Sequence, residues 1–292
     1  MDDLIKLEQD LGKIADMLLV NGTLTECPGL VHGKIGIAVF FFHFAQHTRN
    51  EFFADYAMDL IDEMLNQIHI NSSANYEKGI AGIGVGIDYL IRNEFLNVQD
   101  DICEDFDKRM FRAVMYDPWL DFSQYEGLTG YGRYWITRLV FQMPFIQAKD
   151  CLLRIITLIE EKFAGIPVKE QADVYCFLHD LKGISVFDVE ARRVLSLLDK
   201  CHRHWNIHSV NGTISFPRLD DSEIGNIIRM YQYNKYFNNV LQEEIDIALM
   251  QIPDLDMKKS PSGTGLLNGY AGEGMLRLMA LNKMNVEWMK LL

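Results

Sequence analysis

The residue types best suited to metal chemistry crowd into one short stretch, CHRHWNIH, which carries Cys201, His202, His204 and His208. His204 and His208 stand i, i+4 apart, a spacing that places two imidazoles on one helix face. The stretch closes an amphipathic segment, where histidine also suits the negative end of a helix dipole. A solvated helix end is the expectation, and no metal site is assigned. A second set of polar residues is spread along the chain: His32, Glu77, Lys78, Tyr125, Glu126, Asp220, Asp221 and Asn268. Each lies one or two positions before a small residue that is followed, three positions on, by glycine. All eight are candidate ligand-binding residues. His32, whose unperturbed pKa is near neutrality, is a candidate general base. Asp220 and Asp221 are a candidate carboxylate pair for acid–base work or a hard cation, with Glu126 as a further catalytic candidate.

These residues share an address because the chain repeats. The stretches GLVHGKIGIAVFFFHFA, YEKGIAGIGVGIDYLI, YEGLTGYGRYWITRL and GLLNGYAGEGMLRLMAL are copies of one unit, and LDDSEIGNIIRMYQY is a weaker one. Their small-residue pairs are Gly33/Gly36, Gly79/Gly82, Gly127/Gly130, Ser222/Gly225 and Gly269/Gly272. They recur every ~47 residues, with one double gap. A sixth, glycine-free copy is expected in that gap, in PVKEQADVYCFLHDL, opening near Glu170 with Lys169 at the position before it. Each copy runs into an apolar, helix-like segment.

Between the copies lie polar-faced segments with 3.6-residue periodicity, such as DDLIKLEQDLGKIADMLL and NEFFADYAMDLIDEMLNQI. Six apolar helices alternating with six amphipathic ones make an all-α chain of about six hairpins in a single domain, residues 1–292. Strand signals are sparse, GTISF at Gly212–Phe216 being the best. An open solenoid needs polar-faced capping repeats and none is present, so the expected arrangement is a closed α/α toroid. The apolar helices would then open at one mouth. Glycines there would leave the first backbone N–H groups unshielded and give the mouth a weakly electropositive floor.

The four sharp copies, GLLNGYAGEGMLRLMAL above all, resemble the Gly-x-x-Gly repeats of the lanthionine synthetase C-like (LanC-like) family. That resemblance implies an α/α toroid and a place in peptide maturation, with a peptide held in the central bowl. The family's cyclases use zinc to activate a peptide thiol. Their zinc is held by a Cys in Trp-Cys-x-Gly and by the pair in Cys-His-Gly, just before the glycines of late repeats. Here those positions are Asp220 and Leu267–Asn268. With no thiolate or imidazole there, the chain is expected to be a zinc-less accessory or divergent member, with no cofactor and a peptide or partner protein as its ligand. The alternatives are a LanC-like enzyme working through the acidic and His32 rim, with or without a metal, or a six-hairpin glycan-processing enzyme. The last would use Tyr125, Tyr131, Trp135 and Tyr270 as sugar platforms.

Composition narrows the partners. The net charge of −13 and the lack of any Lys/Arg block argue against nucleic acid. The longest apolar run, IGIAVFFFHFA, is too short to span a bilayer. The acidic opening MDDLIKLEQD does not read as a signal peptide, and the five scattered cysteines read as reduced thiols. A cytoplasmic setting is expected. The glycine run GIGVG has the look of a phosphate loop, but no strand signal precedes it.

Overall fold

A computed structural model describes residues 2–97, 101–140, 145–201, 223–237, 242–250, 252, 255, 263–281 and 286–292. Among them the chain is all-α. The helices are α1 (Asp2–Asn21), α2 (Lys34–Thr48), α3 (Glu51–Gln67), α4 (Ile80–Arg92), α5 (Glu104–Met115), α6 (Leu128–Val140), α7 (Phe145–Lys162), α8 (Val168–Lys182), α9 (Asp188–Cys201), α10 (Glu223–Phe237), α11 (Gln242–Met250) and α12 (Tyr270–Ala280). The glycine-free copy is α8, which starts at Val168, two residues before the expected Glu170. GTISF lies outside the described residues. Among the described residues no helix is long and apolar enough to cross a membrane.

The two series differ in how much they bury. Every residue of α4 from Ile80 to Leu90 is buried, as is most of α2. The amphipathic α3 buries only Ala57, Leu60, Ile61 and Met64. The helices α2 and α4 are therefore packed on several sides and α3 on a single stripe, as an apolar run and a 3.6-residue stripe respectively dictate.

The chain packs as two compact units. One comprises Met1–Ser73, Glu77–Asn97 and Leu219–Leu292, and the other Ala74–Tyr76 and Val98–Arg218. In the first, α2 packs on α3, α10 on α11, and α12 on both α2 and α1. The last apolar helix thus takes its amphipathic partner from the other end of the sequence. In the second, α6 packs on α7 and α8 on α9, while α6 also touches α8. Mid-helix glycines set these approaches. A Cβ on Gly274 would strike the Phe40 ring, and one on Gly132 the Phe177 ring. The ~1 kcal/mol a helical glycine costs is offset by that closeness.

Candidate functional site

The first glycine of each sharp pair begins its helix. Gly33, Gly79 and Gly269 are N-caps with extended backbones, φ −130°, −109° and −141°, which any residue adopts. At Gly33 and Gly269 space, not dihedral freedom, demands glycine. Before each helix the chain folds back over the helix start. A Cβ on Gly33 would collide with the Cys27 carbonyl, and one on Gly36 with the Leu30 carbonyl. The Gly127/Gly130 and Gly269/Gly272 pairs meet their own lead-in loops in the same way.

That fold-back corrects the expectation of exposed N–H groups. The first amide of each helix donates to a carbonyl seven residues upstream: Lys34 to Cys27 (2.9 Å), Ile80 to Ser73 (2.9 Å), Leu128 to Asp121 (2.7 Å) and Tyr270 to Gly263 (3.0 Å). Ala271 and Gly272 continue the pattern onto Thr264 and Gly265. The loop's own carbonyls take the first of these donors at α4 and α6, the first two at α2 and the first three at α12, which leaves fewer N–H groups for an anion than bare helix ends would offer.

The lead-in loops of the first unit are also bonded to one another. Leu267 N–H donates to Val31 C=O (3.1 Å), and Val31 N–H to Glu77 C=O (3.3 Å). Gly265 lies against the backbone of Val31 and His32, and Gly29 against that of Glu77 and Lys78. These bonds line up Asn268, His32 and Lys78, each the residue before its N-cap glycine. His32 is half-buried, with Nε2 3.4 Å from Glu77 Oε1. Lys78 is exposed, with Nζ 3.8 Å from the same oxygen. Glu77 is only 4% exposed, so a sunken carboxylate sits between an imidazole and an ammonium. Asn268 is left-handed at φ 53°, a region asparagine tolerates better than most residues, and Leu267 beside it is buried.

Sequence reasoning passed over Cys27, which joins this group. Burial pushes its thiol up, against the Gly29 N–H that donates to it and the charge of Lys78, while Glu77 adds to the rise. The thiol therefore stays protonated at neutral pH and is a poor nucleophile. Its position six residues before Gly33 was the available signal.

In the second unit, Tyr125 is buried and serves through its backbone, its carbonyl accepting Tyr76 N–H at 2.9 Å. Glu126 is half-buried and accepts Asn75 Nδ2 at 2.9 Å. Where the glycine-free copy lacks a folded-back loop, two side chains of α8 supply the acceptors. Glu170 Oε2 takes Phe122 N–H (3.1 Å) and Asp173 Oδ2 takes Gln124 N–H (2.9 Å). Both carboxyls are buried. Desolvation pushes Asp173 up to about 7, with Glu170 and Asp121 adding to the rise and the Gln124 amide and Arg133 opposing it. Lys169 is exposed.

Other candidates part ways. Asp220 and Asp221 lie outside the described residues, as do His202, His204 and His208. Tyr125, Tyr131 and Trp135 are core residues, and Tyr270 is half-buried. Among the described residues no group of three or more His, Cys, Asp or Glu could hold a metal. Leu267 and Asn268 do not fit zinc, since the first has no donor atom and the second is a single neutral amide. No protein-family model matches the chain, and no curated protein matches it.

Proposed function

We propose that the chain is a divergent LanC-like protein whose apolar helices form the inner layer of an α/α toroid, and that it binds a peptide at the rim of lead-in loops. The observation that carries the reading is the bond from Leu267 to Val31, which joins the last repeat to the first. The packing of α1 on α12 supports the same closure, because the N-terminal helix completes the last hairpin. A rim built this way presents His32, Lys78 and Asn268 side by side, with Glu77 beneath. That mixture of donors and acceptors suits the carbonyls, amides and charged side chains of a peptide. The acidic composition disfavours a polyanion as the ligand, and a cytoplasmic peptide-maturation system is the setting this reading implies.

A second reading rests on the His32–Glu77 pair. A carboxylate that orients an imidazole is the arrangement of a general base. It would make the chain a LanC-like enzyme rather than an accessory binder.

The test is retention of peptides from a random library by the whole chain, followed by mass spectrometry. The wild type should enrich a subset, and the His32→Ala/Lys78→Ala double variant should lose it. Equal retention by both proteins would remove the rim from the account. Chemical conversion of the retained peptides by the wild type and not by His32→Ala would favour the second reading.

A further inference from the structure

The glycine-free copy leaves a gap. Between α7 and α8 the chain makes only a 3-10 turn, Phe163–Gly165, before Pro167 caps α8. Where the other copies fold back a loop, this one opens a cleft of about 550 Å³. Its walls are Trp119, Leu120, Phe122 and Pro167, its inner carboxylates are Asp121 and Glu170, and Lys162 stands exposed at its edge.

The walls and the acids are arranged for a particular guest. Trp119 is 65% exposed and Leu120 53%, unusual for large apolar side chains on a short loop. Glu170 is buried, and only its Oε2 is engaged, by Phe122 N–H. Asp121 uses Oδ1 to hold the Ser123 amide and hydroxyl. The second oxygen of each carboxylate makes no hydrogen bond among the described residues. Asp173 lies behind them and adds negative potential whenever it is ionised, with Arg133 as the opposing charge.

We infer that this cleft binds the side chain of an arginine or lysine from a peptide. The aliphatic stem lies between Trp119, Leu120 and Pro167. The cationic head reaches Asp121 and Glu170, and the indole face of Trp119 adds a cation–π contact. The net charge of −13 favours approach of a cationic ligand. This inference stands apart from the rim, since every residue it uses lies in the second unit.

The experiment is calorimetric titration of the full chain with N-acetyl-arginine amide, and with its norleucine and glutamate counterparts. The arginine compound should bind saturably, and the other two at least about tenfold more weakly. Asp121→Asn keeps the acceptor for Ser123 and should weaken arginine binding about five- to tenfold. Trp119→Ala, at an exposed position that leaves the fold intact by circular dichroism, should weaken it about threefold or more. Lys162→Gln should strengthen it. His32→Ala and Lys78→Ala should leave it unchanged, so failure of the cleft and failure of the rim are read separately. Norleucine binding equal to arginine, indifference to both Asp121→Asn and Trp119→Ala, or no saturable binding would each overturn the inference.

Discussion

The backbone amide of Leu267 donates to the carbonyl of Val31 at 3.1 Å, tying the loop before the last apolar helix to the loop before the first. The same register recurs one repeat on, where Val31 donates to Glu77. These bonds fix which side chains stand next to one another at the rim, and they need glycine at the points of contact.

Gly36→Ala should therefore be costly. Its methyl group would meet the Leu30 carbonyl and the Leu266 side chain. A loss of about 1–3 kcal/mol is expected from overpacking, measured by urea unfolding. Gly12→Ala in α1 is the control. Among the described residues nothing lies within 4 Å of the added carbon, and the variant should gain up to about 1 kcal/mol.

Asp173 should give the protein a pH-dependent stability. Its carboxyl holds its proton to about pH 7 in the folded chain, against 3.8 for the unaltered group. Between those values the native state binds the additional proton, so stability is full below about pH 4 and falls as pH rises through 7. Asp173→Asn keeps an oxygen for the Gln124 amide and carries no charge. Thermal melts should show the variant gaining on the wild type as pH rises from 4 to 8.

A buried ion pair joins α5 to α6. Asp107 accepts from Arg138 Nε (3.0 Å) and Nη2 (2.7 Å) and from the Tyr134 hydroxyl, and Arg138 also reaches Asp101. Arg138→Ala strands the Asp107 carboxylate in the core and should cost about 3–5 kcal/mol in chemical denaturation. Replacing Asp107 with alanine as well should recover part of that loss.

Removing residues 2–21 should uncover the face of α12 that α1 covers. The shortened chain should aggregate or lose cooperative unfolding, and a synthetic peptide of that segment should restore soluble protein.

Much of this was legible in the sequence, for identifiable reasons. Paired glycines followed by an apolar run mark a helix start, and their spacing located even α8, which has neither glycine. The fold-back was not legible. It is made by backbone carbonyls, which every residue carries, so no residue type signals that Cys27 or Asp121 caps a helix. The substitution of Glu170 and Asp173 for a missing loop was hidden for a related reason. Two acids one turn apart on a helix read as a solvated face. The place of His32 just before its N-cap glycine followed from the repeat, whereas the backbone of Val31 and Gly29 that lies against Glu77 comes from a different repeat. Lys34 shows the same limit. A lysine in a first helical turn reads as exposed, yet it is buried between Glu63 and the Thr23 carbonyl.

The central claim is that peptides bind at the lead-in loops. Hydrogen exchange of the whole chain, followed by mass spectrometry with and without the peptides it enriches, tests this most directly. The account predicts added protection in residues 27–33, 73–79 and 263–269 and little change along α3 and α9. Protection confined to other segments, or none anywhere, would contradict it.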